Sequence, residues 1–140
     1  MTGAGAMLAT LWVAIGSALG GVGRYWLGIL VVRLAGDAFP WGTLLINVIG
    51  SFVIGYFGTL TMPDGPRPAG VGLRLFVMVG LCGGFTTFSS FSLQTIDLAR
   101  GGESGRALGY VVSSVVLCLA GTAVGHYLAG LGTSMLGART

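Results

Sequence analysis

The chain contains no lysine and few charges of either sign. Only 8% of its 140 residues are charged and 54% are hydrophobic, whereas about 25% of a typical soluble domain is charged. That composition excludes an ordinary soluble fold and favours a protein whose surface contacts a lipid bilayer. The seven arginines are spread along the chain. Because they form no basic patch, nucleic-acid binding is not expected.

Residues that bind metals or form disulfides are also scarce. The two cysteines, Cys82 and Cys118, both lie in apolar stretches, which favours small buried side chains over a disulfide. The single histidine, His126, provides no metal-ligand spacing. The sequence also lacks a Walker motif and a serine triad, so no enzymatic activity is predicted.

Four apolar segments occupy most of the sequence, at about 6–32, 41–62, 71–98 and 107–135. Each is long enough to cross a bilayer, which takes about 20 residues. The intervening stretches RLAGDAFP, PDGPRPAG and ARGGESGR are short and rich in turn-forming residues. The pattern predicts an all-α integral membrane protein in which residues 1–140 form one domain of four alternating transmembrane helices.

The arginines give no signal for membrane orientation. Arg24 is left out of the count because it lies within the first apolar segment. One side of the predicted bundle then carries Arg67, Arg74 and Arg139, and the other side carries Arg33, Arg100 and Arg106, which is three against three. An excess on one side would mark the cytoplasmic face. Two interpretations follow: another cue sets the orientation, or the chain inserts both ways and pairs with an inverted copy.

The third segment contains the stretch GGFTTFSSFS at 83–92, which is unusual for a membrane helix. Adjacent glycines weaken a helix, and loosened backbone at membrane depth is tolerated where it is buried or lines a cavity. A break is therefore predicted near 83–86. Three phenylalanines recur at intervals of three, at Phe85, Phe88 and Phe91. The spacing alone fits packing, or an anion path that meets the electropositive ring edges.

Two further polar residues stand out within apolar segments. Arg24 either extends to the membrane interface or attracts anions to a vestibule. Asn47 either makes an interhelical hydrogen bond or donates to a partly dehydrated anion. Thr43 and Gly50 fall on roughly the same helical face as Asn47. The apolar segments contain no glutamate, and Asp97 lies near the end of its helix, so no mid-membrane carboxylate is available for proton coupling.

Three stretches carry a resemblance to a known family. GGVGRYW, WGTLLINVIGSFVIG and GLCGGFTTFSSFS resemble, in order and spacing, the signature stretches of the fluoride-specific ion channels called Fluc or CrcB proteins. The resemblance implies an antiparallel, dual-topology homodimer, multi-pass in the inner membrane of a prokaryote. Its expected activity is the passive export of fluoride down its electrochemical gradient through two pores, which relieves fluoride toxicity.

The resemblance also implies roles for individual residues. It implies that a structural Na⁺, which is not transported, lies at the dimer centre and is held by the main-chain carbonyls of Gly83 and Thr86 from each subunit. The implied fluoride path is lined by Phe88, Phe91, Asn47, Ser90, Thr43, Ser114, Tyr110 and Arg24. Phe85 is left as a packing residue. Cys118 departs from relatives that have serine there, and a thiol is a weaker donor.

Two other functions are consistent with four apolar segments. An antiporter for small molecules could be built on an inverted dimer, but it needs a carboxylate in the membrane. A membrane protein without transport activity could use glycine-rich helices for packing alone.

Overall fold

The computed structural model describes residues 3–137, with side-chain surroundings for residues 3–131. Its elements are, in order, α1 (Gly3–Ala35), α2 (Trp41–Leu60), α3 (Val71–Arg74), a π-helix (Leu75–Cys82), α4 (Gly83–Phe85), α5 (Phe88–Arg100) and α6 (Ser104–Gly137). The prediction of four segments long and apolar enough to cross a membrane is confirmed, and Val71–Arg100 is the third of them. Arg139, one of the arginines in the topology comparison, lies outside the described residues.

The third segment is not one continuous α-helix. Its middle part, Leu75–Cys82, is a π-helix. Between α4 and α5, Thr86 (φ −78°, ψ 158°) and Thr87 (φ −152°, ψ 108°) have extended backbones. Gly83 keeps helical angles (φ −64°, ψ −37°). The interruption therefore follows the glycine pair rather than falling on it.

Two glycines with left-handed backbones lie in the turns that precede α2 and α6. Gly36 has φ 77° and Gly102 has φ 82°, values that only glycine adopts readily. The two turns are linked, because Arg106 Nη1 donates to the Ala38 carbonyl at 3.4 Å. These turns form one end of the site described below.

At the opposite end, polar contacts join the segments. Arg74 Nη1 donates to Thr61 Oγ1 at 2.8 Å and to the Gly58 carbonyl at 3.3 Å, so it binds the last turn of α2. Thr59 Oγ1 and His126 Nδ1 lie 2.7 Å apart, which connects α2 to α6. His126 therefore has a structural partner.

Glycines allow the backbones of neighbouring helices to touch. A Cβ on Gly80 would lie 2.9 Å from the Gly16 Cα, where the π-helix crosses α1. A Cβ on Gly125 would lie 2.7 Å from the Tyr56 backbone nitrogen, where α6 crosses α2. Small residues at such crossings are the usual means by which membrane helices pack closely.

Two adjacent glycines in α1 provide a matched test of this packing. A Cβ on Gly20 would lie 2.8 Å from the Phe85 backbone nitrogen, whereas a Cβ on Gly21 would have nothing within 4 Å. We expect Gly20→Ala to destabilise the protein by about 1–3 kcal/mol through overpacking. Gly21→Ala should leave the thermal unfolding temperature in detergent unchanged or slightly higher. Equal unfolding temperatures for the two variants would contradict this packing.

The buried core is small and lies between α2, α5 and α6. Leu44, Phe91 and Tyr110 form its centre. Most large apolar side chains are instead exposed on the outer surfaces of the helices. That distribution is expected for helices that face lipid rather than water. The core matters here because it separates two cavities.

Candidate permeation site

Asn47 on α2 makes two hydrogen bonds to the backbone at the interruption of the third segment. Its Oδ1 accepts a hydrogen bond from the Thr87 N–H at 2.8 Å, and its Nδ2 donates to the Thr87 carbonyl at 3.1 Å. In a continuous helix the Thr87 N–H would bond the Gly83 carbonyl. The side-chain amide therefore takes the place of a helical peptide partner. This interhelical bond was one of the two interpretations that the sequence left open.

Thr87 in turn caps α5. Its Oγ1 accepts from the Ser90 N–H at 3.2 Å and donates to Ser90 Oγ at 3.0 Å. Because of this N-cap, the Ser90 N–H does not bond the Thr86 carbonyl, its partner in a continuous helix. The carbonyls of Gly83 and Thr86 are thus both released from their usual helical donors.

Phe88 and Phe91 lie directly after the interruption but differ in burial. Phe88 is 78% exposed and Phe91 is 9% exposed. Their ring centroids are 5.2 Å apart, and the Phe91 ring is also 5.2 Å from that of Tyr110. Phe85 instead points between α1 and α2. A Cβ added to Gly23 would lie 3.7 Å from the Phe85 ring, and a Cβ added to Gly50 would lie 3.5 Å from it.

Tyr110 is fully buried at the centre of the core. Its hydroxyl donates to Gln94 Oε1 at 2.9 Å, and the Phe39 ring packs edge-on against it with centroids 5.4 Å apart. The sequence did not reveal this role of Gln94. The available signal was its helical spacing from Thr87 and Ser90, which placed all three on one face.

A large cavity, here called the outer cavity, opens beside the turns before α2 and α6. Its volume is about 980 Å³. Four charged side chains of its lining are exposed, namely Arg33, Asp37, Asp97 and Glu103, whereas Arg24 is half-buried. The polar side chains of the lining are half-buried at Ser90 and Gln94 and buried at Thr43 and Thr87. The outer cavity therefore leads from charged groups to neutral hydrogen-bonding groups.

A second cavity of about 450 Å³, here called the inner cavity, lies beyond the interruption. Its polar and aromatic lining consists of Asn47, Ser51, Gly83, Thr86, Thr87, Phe88, Phe91, Ser114, Cys82 and Cys118. Thr87 lines both cavities. Phe91 and Tyr110 belong to the core between them.

Ser114 is the unusual polar group of the inner cavity. The residue is 6% exposed, and its Oγ has no hydrogen-bond partner among the residues that the structure describes. A buried hydroxyl without a partner is costly. Such a group is expected where a ligand or ion completes the hydrogen bond.

The structure places the site residues predicted from the sequence in the two cavities and in the core between them. The outer cavity is lined by Arg24, Thr43 and Ser90. The inner cavity is lined by Asn47, Gly83, Thr86, Phe88, Phe91 and Ser114. Tyr110 lies in the core between the two cavities.

The fold and the site define a multi-pass membrane protein with two partly polar cavities beside an interrupted helix. Residues 11–126 match the family model for "CrcB-like protein, Camphor Resistance (CrcB)". The chain belongs to this family. It is a multi-pass protein of the bacterial inner membrane, given its four membrane-capable helices and the bacterial relatives described next.

Several relatives are similar to this chain over most of their length. The chain is 56% identical to the "Fluoride-specific ion channel FluC" of Methylocella silvestris, over 91% of this chain and 98% of that protein. It is 56% identical to the protein of the same name from Opitutus terrae, over 90% and 95%. It is 50% identical to "Fluoride-specific ion channel FluC 2" of Bradyrhizobium diazoefficiens, over 86% and 88%.

Proposed function

We propose that this protein is a fluoride-selective channel that exports fluoride passively down its electrochemical gradient and so relieves fluoride toxicity. It is a channel and not an enzyme. The observation that carries the proposal is the row of neutral donors that starts in the charged outer cavity and ends at the unpartnered hydroxyl of Ser114. The names of the relatives identify fluoride as the ion.

The chemistry of the path suits a small, strongly hydrated anion. Arg24 lines the outer cavity, where its positive charge opposes the charge of the acidic side chains in the same lining. Beyond it, Thr43 and Ser90 supply hydroxyl donors, and Ser114 supplies another in the inner cavity. Conduction requires binding strong enough to replace water and weak enough to release the ion. Neutral hydroxyls meet this condition better than a ring of charged side chains.

The phenylalanines provide the narrow, apolar part of the path. Ring edges are electropositive and can face a dehydrated anion. Phe91 lies between the cavities and Phe88 lines the inner one. A passage lined by rings and single hydroxyls also excludes larger halides, since they do not fit.

An antiparallel, dual-topology homodimer accounts for the surfaces that one chain leaves uncovered. Phe88 and Gly83 are exposed although they lie at membrane depth. Exposed backbone polar groups are not tolerated in lipid, so another protein surface covers them. The balance of three arginines against three supports pairing with an inverted copy.

The residues at the interruption fit a structural sodium ion. The carbonyls of Gly83 and Thr86 are released from their helical donors, which go to Asn47 and to the Thr87 hydroxyl. Freed main-chain carbonyls are the hard oxygen ligands that hold Na⁺ in interrupted membrane helices. The ion would supply a fixed positive charge at the dimer centre and is not transported.

Substituting Phe88 tests the path through the inner cavity. We expect Phe88→Ile to lower fluoride efflux from reconstituted liposomes at least about tenfold, equivalent to about 1.4 kcal/mol in the barrier, because isoleucine has no electropositive ring edge. The measurement is the initial efflux rate at a fluoride-selective electrode. Phe57→Ile on α2 is the control, since Phe57 lines neither cavity. Normal efflux by the Phe88 variant would contradict the assignment.

A further inference from the structure

The lining of the outer cavity contains charges of both signs. Three of the four acidic residues of the chain belong to it, together with two arginines; these are Asp37, Asp97 and Glu103, and Arg24 and Arg33. The fourth acidic residue, Asp64, lies in the loop between α2 and α3 and does not line the cavity. Carboxylates at the opening of an anion path oppose the attraction that arginines provide there.

One of these carboxylates is already neutralised. Glu103 Oε2 forms an ion pair with Arg106 Nη1 at 2.5 Å. Within residues 3–131, the other four charged side chains that line the cavity have no ion pair. Two negative charges, on Asp37 and Asp97, therefore face two positive charges, on Arg24 and Arg33. The unpaired charges that line the cavity therefore sum to zero.

Asp97 occupies a defined place on the path. Thr87, Ser90, Gln94 and Asp97 follow one another at helical spacing along α5, and all four line the outer cavity. From the interruption outward this face presents two hydroxyls, an amide and then a carboxylate. Of these four residues, Asp97 lies farthest from the interruption along α5, and it is exposed.

We propose that Asp97, assisted by Asp37, limits the rate at which anions reach the path. The two carboxylates cancel the field of Arg24 and Arg33, so fluoride is not concentrated at the opening above its level in bulk water. This inference rests on the proposed function, because it concerns access of the conducted ion. It makes Asp97 a rate-determining charge that acts through the field and not a residue that binds fluoride.

The experiment compares two substitutions that change the net charge equally. Asp97→Asn removes a negative charge from the lining of the outer cavity, and Asp64→Asn removes one elsewhere. Initial fluoride efflux from liposomes is measured at millimolar fluoride, in about 0.01 M and about 1 M inert salt, where the Debye lengths are about 30 Å and 3 Å.

We expect Asp97→Asn to raise efflux about two- to fourfold in low salt. A two- to fourfold gain is what Coulomb's law gives when one unit charge is removed about 10 Å from the ion in a medium with a dielectric constant close to that of water. The gain should vanish in high salt, and Asp64→Asn should match the wild type in both. Asp37→Asn should show a smaller gain, and Arg33→Gln a loss, again only in low salt.

Three results would overturn the inference while leaving the channel function intact. They are unchanged or slower efflux by Asp97→Asn in low salt, a gain that persists in high salt, and an equal gain in Asp64→Asn. Absence of fluoride efflux from the wild-type protein would overturn the proposed function and this inference together. A gel-filtration profile identical to the wild type establishes that each variant is folded and assembled.

Discussion

Asn47→Asp is expected to lower fluoride efflux at least about 100-fold, which corresponds to about 2.7 kcal/mol in the barrier. Asn47 both donates to and accepts from the main chain of Thr87, at 3.1 and 2.8 Å. A carboxylate retains the acceptor but loses the donor, so its second oxygen faces the Thr87 carbonyl oxygen. The substitution also places a negative charge beside the inner cavity, where an anion must pass.

Two further variants separate these causes. Asn47→Leu removes both hydrogen bonds without adding charge, and we expect it to lose most efflux as well, because Thr87 is no longer held extended. Thr59→Val removes a polar group near the other end of α2, where Thr59 contacts His126, and should conduct normally. Efflux is measured in liposomes and assembly by gel filtration. Near-normal efflux by Asn47→Asp would refute the role of Asn47.

Adding three lysines to one terminus is expected to reduce activity to near background. Apart from Arg24, which lies within the first apolar segment, the arginines are balanced three against three between the two sides, so a few added charges decide the orientation. If every chain points one way, no inverted partner is available and the antiparallel dimer cannot form. The measurement is fluoride efflux from membranes that contain the variant alone.

The control for this experiment is a pair of variants with opposite bias. Three lysines in the loop that follows α1 favour the opposite orientation from three lysines at the N-terminus. Each variant alone should be inactive, and co-expression of the two should restore efflux. Full activity of either variant alone would contradict dual topology.

The hydropathy of the chain was sufficient to predict the membrane helices, because about 20 apolar residues need no tertiary context to be recognised. The π-helix at Leu75–Cys82 could not be predicted in this way. It lies where the third segment crosses α1, and Gly80 approaches Gly16 there through a contact between residues far apart in sequence. The glycine pair indicated weakened helix nearby, but the extended residues are Thr86 and Thr87.

The candidate site was predictable in composition but not in its connections. The polar stripe of Thr43 and Asn47 follows from helical spacing, and both residues line cavities. That Asn47 bonds the backbone of Thr87, 40 residues later, depends on how two helices pack. The same holds for the bond between Tyr110 and Gln94. Spacing within one helix identifies a face, whereas the partner across the interface is set by the fold.

Liposomes loaded with fluoride and chloride provide the most direct measurement of the central claim. The account predicts rapid fluoride efflux from the wild-type protein, no chloride efflux, and no dependence on a proton gradient. Fluoride flux that requires a proton gradient would indicate an antiporter, and no flux would indicate a membrane protein without transport activity. Either result, or equal efflux of both halides, would contradict the assignment as a fluoride-selective channel.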